Sequence, residues 1–81
     1  MAGTIRLNIT EYRKCMRLKG VSTDDAASRL IGINPATLSR VLKGTSAPGE
    51  RFIAGLLLAL PEVPFEDLFR VEPDEPLAAA S

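Results

Sequence analysis

The stretch Ser22–Thr45, STDDAASRLIGINPATLSRVLKGT, constrains this chain more than any other. It holds two short helical patterns with a glycine and a second start signal between them. Gly32 breaks the first pattern, and Asn34-Pro35 reads as an N-cap followed by the first helical residue of the second. Leu38, Val41 and Leu42 give that second helix an apolar face. Between them sit Pro35, Ala36, Thr37, Ser39, Arg40 and Lys43, a small and mostly polar surface open to water. A short helix with such a face, carried on a compact helical body, has the form that fits a DNA major groove.

The flanks supply the body. Thr4-Ile5-Arg6-Leu7 alternates in the manner of a strand and predicts an extended arm, free or packed against a second copy. Asn8 opens a helix, and Glu11 three residues on completes a capping box. Leu7 and Tyr12 stand where a hydrophobic staple would sit. Ile9, Tyr12, Met16 and Cys15 form its buried stripe, and Gly20 ends it. Ser22 with Asp25 matches the cap that starts the next helix, whose two acids suit the positive end of the helix dipole. The pair Asp24 and Asp25 also admits a metal or acid–base reading, but no His and no further acid stands near it. Ala26, Ala27, Leu30 and Ile31 form a small-residue face, and Ile33 enters the core.

After Lys43-Gly44 comes a polar loop, with Ser46 or Ala47 before Pro48 marking the next start. Residues 50–60 are apolar on most sides, as in a helix at the centre of a bundle or against a second subunit. Leu56, Leu57 and Leu58 cannot all face one core, so one is spare for a dimer contact. Phe65–Phe69 predicts a last helical turn whose Phe65, Leu68 and Phe69 cap the core. From Glu72 the sequence turns acidic and Pro-rich, then Ala-rich, the composition of a disordered tail. The expected organisation is an arm over 1–7, a helical domain over 8–70 with its motif at about 22–44, and a tail over 71–81.

Eighty-one residues make one domain. The single cysteine rules out an internal disulfide framework and fits a reducing, cytoplasmic setting. Cys15 reads as a small core side chain, since without a His nothing activates a thiol. No apolar run suits a membrane span. The formal net charge is zero, but its distribution is uneven. Residues 1–44 hold eight Lys/Arg against three acids, and residues 45–81 hold two against seven. A basic front half can attract phosphate despite overall neutrality, although solvated surface charge reads equally well from the counts alone.

Taken in order, these features resemble the lambda-repressor and Cro-type (XRE-like) helix-turn-helix family over about Arg13 to Phe69. Arg17-Leu18-Lys19-Gly20-Val21-Ser22 is similar to that family's first helix exit, and Asp24–Leu30 to its first motif helix. Gly32-Ile33-Asn34 resembles its turn. Pro35–Gly44 resembles its recognition helix and following glycine. Pro48, the Leu-rich helix and Val63–Phe69 resemble its fourth and fifth helices. The family places a small residue, typically Ala, four positions before the turn glycine. Here Ser28 holds that place and Ala27 lies five back, so either Ser28 substitutes or the turn carries one extra residue at Leu30-Ile31. The second register matches Ser22–Leu30 better.

The resemblance implies an all-α, compact five-helix domain that binds double-stranded DNA as a transcriptional regulator, with no cofactor, metal or catalytic residue. It implies a bacterial or phage-encoded, cytoplasmic and nucleoid-associated protein of the repressor or Cro-like switch type. The base-facing residues would be Pro35, Ala36, Ser39 and Arg40, with the Arg40 fork suited to guanine. Thr23, Asn34, Thr37, Lys43, Thr45 and Ser46 would contact phosphate, and Arg13 or Lys14 with them. Arg40 and Thr37 also fit ordinary helix-surface roles. One strong reader per chain argues for a homodimer on a pseudo-palindromic operator. An antitoxin or protein-interaction module, with a partner on the C-terminal helices or tail, uses the same domain type. Lys43-Gly44-Thr45 resembles a fragment of a phosphate-binding loop, but the preceding glycines are absent.

Overall fold

The computed structural model describes residues 2–73, and the expected tail beyond Pro73 lies outside the described residues. Five helices follow a first strand: β1 (Gly3–Leu7), α1 (Ile9–Leu18), α2 (Asp24–Ile31), α3 (Pro35–Lys43), α4 (Glu50–Ala59) and α5 (Phe65–Leu68), before β2 (Phe69–Pro73). The expectation of an all-α domain is therefore corrected. β1 and β2 pair antiparallel, from Gly3 opposite Pro73 to Leu7 opposite Phe69. The extended arm exists, but it pairs within its own chain and belongs to the folded unit. Val71–Pro73, expected in the tail, belong to β2, the other strand of that ribbon.

Local hydrogen bonds show why each helix starts where it does. The Glu11 amide donates to Asn8 Oδ1 at 3.2 Å, so Asn8 caps α1 as its sequence predicts. The Asn8 amide itself donates to the Leu68 carbonyl at 2.8 Å. That bond claims the donor that a capping-box Glu11 would use, and it fastens the start of α1 to the end of α5. For α2 the cap moves one residue from the expected Ser22. The Ala26 amide donates to Thr23 Oγ1 at 3.1 Å, and Ser22 stays outside the helix. α4 begins at Glu50 after Gly49, two residues later than Ser46 or Ala47 before Pro48 would imply, and Pro48 is buried in the connection.

The core gathers Leu7, Tyr12, Cys15, Met16, Ala27, Ile31, Leu38, Val41, Phe52, Leu56, Leu60, Leu68 and Phe69. Phe69 was expected in the last helical turn. It opens β2 instead and still fills the core, edge-on to Phe52 at 6.4 Å and stacked on Phe65 at 5.1 Å between ring centroids. Of the three consecutive leucines, Leu56 is fully buried and Leu57 half-buried, while Leu58 is 82% exposed. Leu58 is the spare one. The Tyr12 hydroxyl is buried with no hydrogen-bond partner among the described residues.

α4 packs across the end of α2, and Gly55 makes that possible. A Cβ there would overlap the Ile31 carbonyl oxygen and sit 3.0 Å from Ile31 Cγ2. The obstacle is backbone, so it cannot rotate away. Gly55→Ala should destabilise the domain by about 1–3 kcal/mol, the usual range for overpacking, despite the better helix propensity of Ala. Thermal unfolding measures this, at roughly 4–8 °C per kcal/mol for a domain this size.

Burial raises the Tyr12 phenol pKa, with Asp24 adding and Arg13 opposing. Burial also raises that of the Cys15 thiol, with Glu11 adding and Lys14 opposing. The native state thus holds both protons to higher pH than the unfolded chain. Their contribution is complete below the ordinary thiol and phenol values, about 8.5 and about 10, and is lost as pH rises through and beyond them. The denaturant midpoint should therefore fall between about pH 9 and about pH 11. Tyr12→Phe should lessen that fall and leave neutral stability within about 1 kcal/mol, because it removes an unpartnered hydroxyl.

Candidate nucleic-acid interface

Three devices hold α3. At its start the Ala36 amide donates to Asn34 Oδ1 at 2.8 Å, with Pro35 at the first helical position where no amide is needed. Along its inner side Leu38 and Val41 are buried, and α2 packs against them. At its end the Arg40 carbonyl accepts from the Thr45 amide at 3.0 Å, the Ser46 amide at 3.3 Å and the Thr45 hydroxyl at 3.2 Å. The helix is clamped at both ends.

The turn before α3 settles the two registers left open by the sequence. α2 runs unbroken to Ile31, and Gly32 closes it at φ 86°, a left-handed conformation that glycine adopts without a Cβ clash. Both the Gly32 and Ile33 amides donate to the Ser28 carbonyl, at 2.8 and 3.0 Å. Ser28 is 1% exposed and its hydroxyl donates to the Asp25 carbonyl at 2.7 Å. Ile31 is buried and Leu30 is exposed. Ser28 therefore takes the small-residue place four before the glycine. The favoured alternative, an inserted residue at Leu30-Ile31, is corrected: no bulge interrupts the helix.

At about 100° per residue, Ser39, Lys43, Ala36 and Arg40 fall in that order within about 100° of arc on α3. This arc is the outer side of the helix. Pro35, Ala36, Arg40 and Lys43 are exposed and Ser39 is half-buried. Neither Arg40 nor Lys43 makes an ion pair with a described acid. The other expected phosphate contacts are in different states, and Thr23 belongs to the start of α2 rather than to this arc. Thr37 is half-buried at its edge, Asn34 and Thr23 are exposed caps, Thr45 donates its hydroxyl to Arg40, and Ser46 is half-buried in the exit loop.

One cation was missed. Arg51, counted only with the acidic half of the sequence, lines a hollow of about 280 Å³ together with Asn34, Thr37 and Gly49. It is exposed and makes no ion pair with a described acid. Its position in sequence, a full loop beyond α3, gave no local signal of this proximity. Only the return of the chain through the Gly44–Gly49 loop brings α4's first turn beside α3's first turn. Arg13 and Arg17 line a different hollow of about 340 Å³, beside Ser22, Thr23 and the buried Tyr12.

No family model and no solved structure matches the chain. It is 51% identical over 39 residues to an uncharacterized HTH-type transcriptional regulator, YvzC, of Bacillus subtilis. That match covers 48% of this chain and 49% of the relative, so the chain spans about half the length of the curated relative it matches. The likeness and the small, five-helix architecture agree with a helix-turn-helix domain at that coarse level. Among the described residues no helix is long and apolar enough to cross a membrane.

Because the Asn34 cap positions the first turn of α3, Asn34→Ala should cost about 1 kcal/mol, within the 0.5–2 kcal/mol range for such caps. Asn34→Ser should recover most of it. Thermal unfolding gives the size of the loss, and faster amide exchange at Ala36 would place it at this end of the helix.

Proposed function

We propose that the chain is a sequence-specific double-stranded-DNA-binding transcriptional regulator of the repressor or Cro-like type, reading a major groove with α3. The observation that carries this reading is the outer arc of α3. It presents small side chains beside two cations that make no ion pair with a described acid, on a helix braced at both ends. The relative in Bacillus subtilis, named as a transcriptional regulator, supports it. Arg40 supplies a bidentate fork for guanine, Pro35 and Ala36 pack against thymine methyl groups, and Ser39 bonds to several bases with little preference. Thr23, Asn34, Thr37, Lys43, Thr45 and Ser46 take phosphate contacts, and Arg51 joins them beside Asn34.

One fork per protomer yields little discrimination, since a good bidentate pair is worth about 1–3 kcal/mol. The reading therefore includes a homodimer on a pseudo-palindrome, with half-sites about 34 Å apart. Leu58, exposed on α4, is available for the contact between copies. Regulation acts on a cytoplasmic DNA target, and no cofactor enters.

Selection from a random DNA pool should return an inverted repeat with that spacing. On the selected site, Arg40→Ala should weaken binding about 10-fold or more while leaving random DNA almost unaffected. Lys43→Ala should weaken both and reduce the salt slope by about one. If the wild-type protein showed almost no affinity for mixed genomic DNA at low salt, it would be a protein adaptor and the groove assignment would be wrong.

A further inference from the structure

We propose that the β1–β2 ribbon is a second contact to the DNA backbone, with Arg6 and Arg70 seating one phosphate that flanks the groove occupied by α3. This rests on the DNA-binding reading above and extends it to a surface outside the helix-turn-helix. The first observation is the register. Arg6 and Arg70 are direct cross-strand partners, so both guanidinium groups rise from the same face of the ribbon. Like charges placed directly opposite destabilise a strand pair. One carboxylate moderates this pair: Arg6 Nε lies 3.1 Å from Glu72 Oε1, and Arg70 Nη2 lies 3.8 Å from Glu72 Oε2. Among the described residues, two cations against one acid leave the ribbon face positive, and all three side chains are exposed to solvent.

The second observation is position. Arg6, Arg70 and Glu72 line a hollow of about 330 Å³ together with Gly44, Ser46 and Pro48. Gly44 and Ser46 belong to the loop where the chain leaves α3 and where the backbone clamp on Arg40 is made. A helix in the major groove has phosphate rows along both walls, about 12 Å apart. The loop at its exit reaches such a wall, and the arginine pair stands across the hollow from that loop. A phosphodiester there replaces the Glu72 carboxylate between the two forks, and each guanidinium is suited to bidentate phosphate binding. The contact is to the backbone and carries affinity without base preference.

Glu72 is then a built-in competitor, and its removal is informative. Binding should be titrated at several salt concentrations on the selected site and on a random duplex. The proteins compared are wild type, Glu72→Gln, Arg6→Gln with Arg70→Gln, and Arg6→Lys with Arg70→Lys. Loss of one phosphate contact should lower the slope of log affinity against log salt by about 0.9. The double glutamine variant should therefore bind both duplexes about 5–10-fold more weakly at 0.1 M salt. The double lysine variant should keep most of the slope, and Glu72→Gln should bind both duplexes more tightly. Thermal unfolding of each variant separates a loosened ribbon from a lost contact, because the lysine pair and Glu72→Gln alter the ribbon as well. If wild type binds the selected site but the glutamine pair keeps its slope, or Glu72→Gln gains nothing, the ribbon proposal is overturned and the α3 reading stands. If wild type fails to bind either duplex, both are overturned.

Discussion

The aim of α3 depends on how closely α4 approaches the last turn of α2. Ile31 is the last residue of α2, and its carbonyl oxygen occupies the space a side chain at residue 55 would need. Leu56 and Phe52 on α4 and Ile31 on α2 are buried in the same core, so the two helices cannot separate without opening it. One residue after Ile31 the chain turns at Gly32, and three residues after that α3 begins at Pro35. With so short a connection, the direction of α3 is inherited from where α2 ends. Interiors packed to crystal density transmit displacement rather than absorb it. A change at Gly55 that kept the domain folded would therefore still move a helix it does not touch.

Charge is organised in the same economical way. A chain of zero net charge can still present a positive surface if its acids are occupied elsewhere. Asp25 pairs with Arg29 along α2, Glu62 with Lys19, and Glu72 with both ribbon arginines. Exposed pairs of this kind stabilise a fold by only about 0–1 kcal/mol. Their larger effect is on which cations remain: Arg13, Lys14 and Arg17 on α1, Arg40 and Lys43 on α3, and Arg51 at the head of α4 make no ion pair with a described acid. The separation of charge along the sequence understated this, because Arg51 belongs to the acidic half in sequence and to the α3 neighbourhood in space.

What the sequence made legible was what local chemistry decides. The Asn8 and Asn34 caps, the span of α3 and the Leu38–Val41 anchor follow from side chains acting within four or five residues. Three features escaped because distant or competing groups decide them. β2 is short, and its partner among the described residues lies 62 or more residues away, so nothing around Phe69–Pro73 marked it as a strand. Ser22 and Thr23 are equally able caps, and a side-chain pattern cannot tell which hydroxyl finds an amide. Ala27 and Ser28 are both buried, so the register rested on whether a serine hydroxyl could be satisfied inside a helix. The Asp25 carbonyl satisfies it. The base and phosphate roles of the α3 residues were legible only as chemistry suited to a groove, and they remain part of the proposed function.

That proposed function sets a balance between affinity and discrimination. Arg40 is the one fork on the outer arc of α3, and each phosphate contact around it strengthens binding to every sequence alike. Adding such contacts raises occupancy of random DNA as fast as occupancy of the operator, and competing sites greatly outnumber operators. A domain with a single fork therefore gains specificity by doubling, because two half-sites multiply discrimination while each protomer keeps its modest backbone grip. A ribbon of two arginines restrained by one glutamate fits this balance. The carboxylate weakens a contact that, unrestrained, would favour nonspecific DNA. In that reading the restraint acts on operator and random DNA alike, so discrimination is left to Arg40 and to the doubling of half-sites.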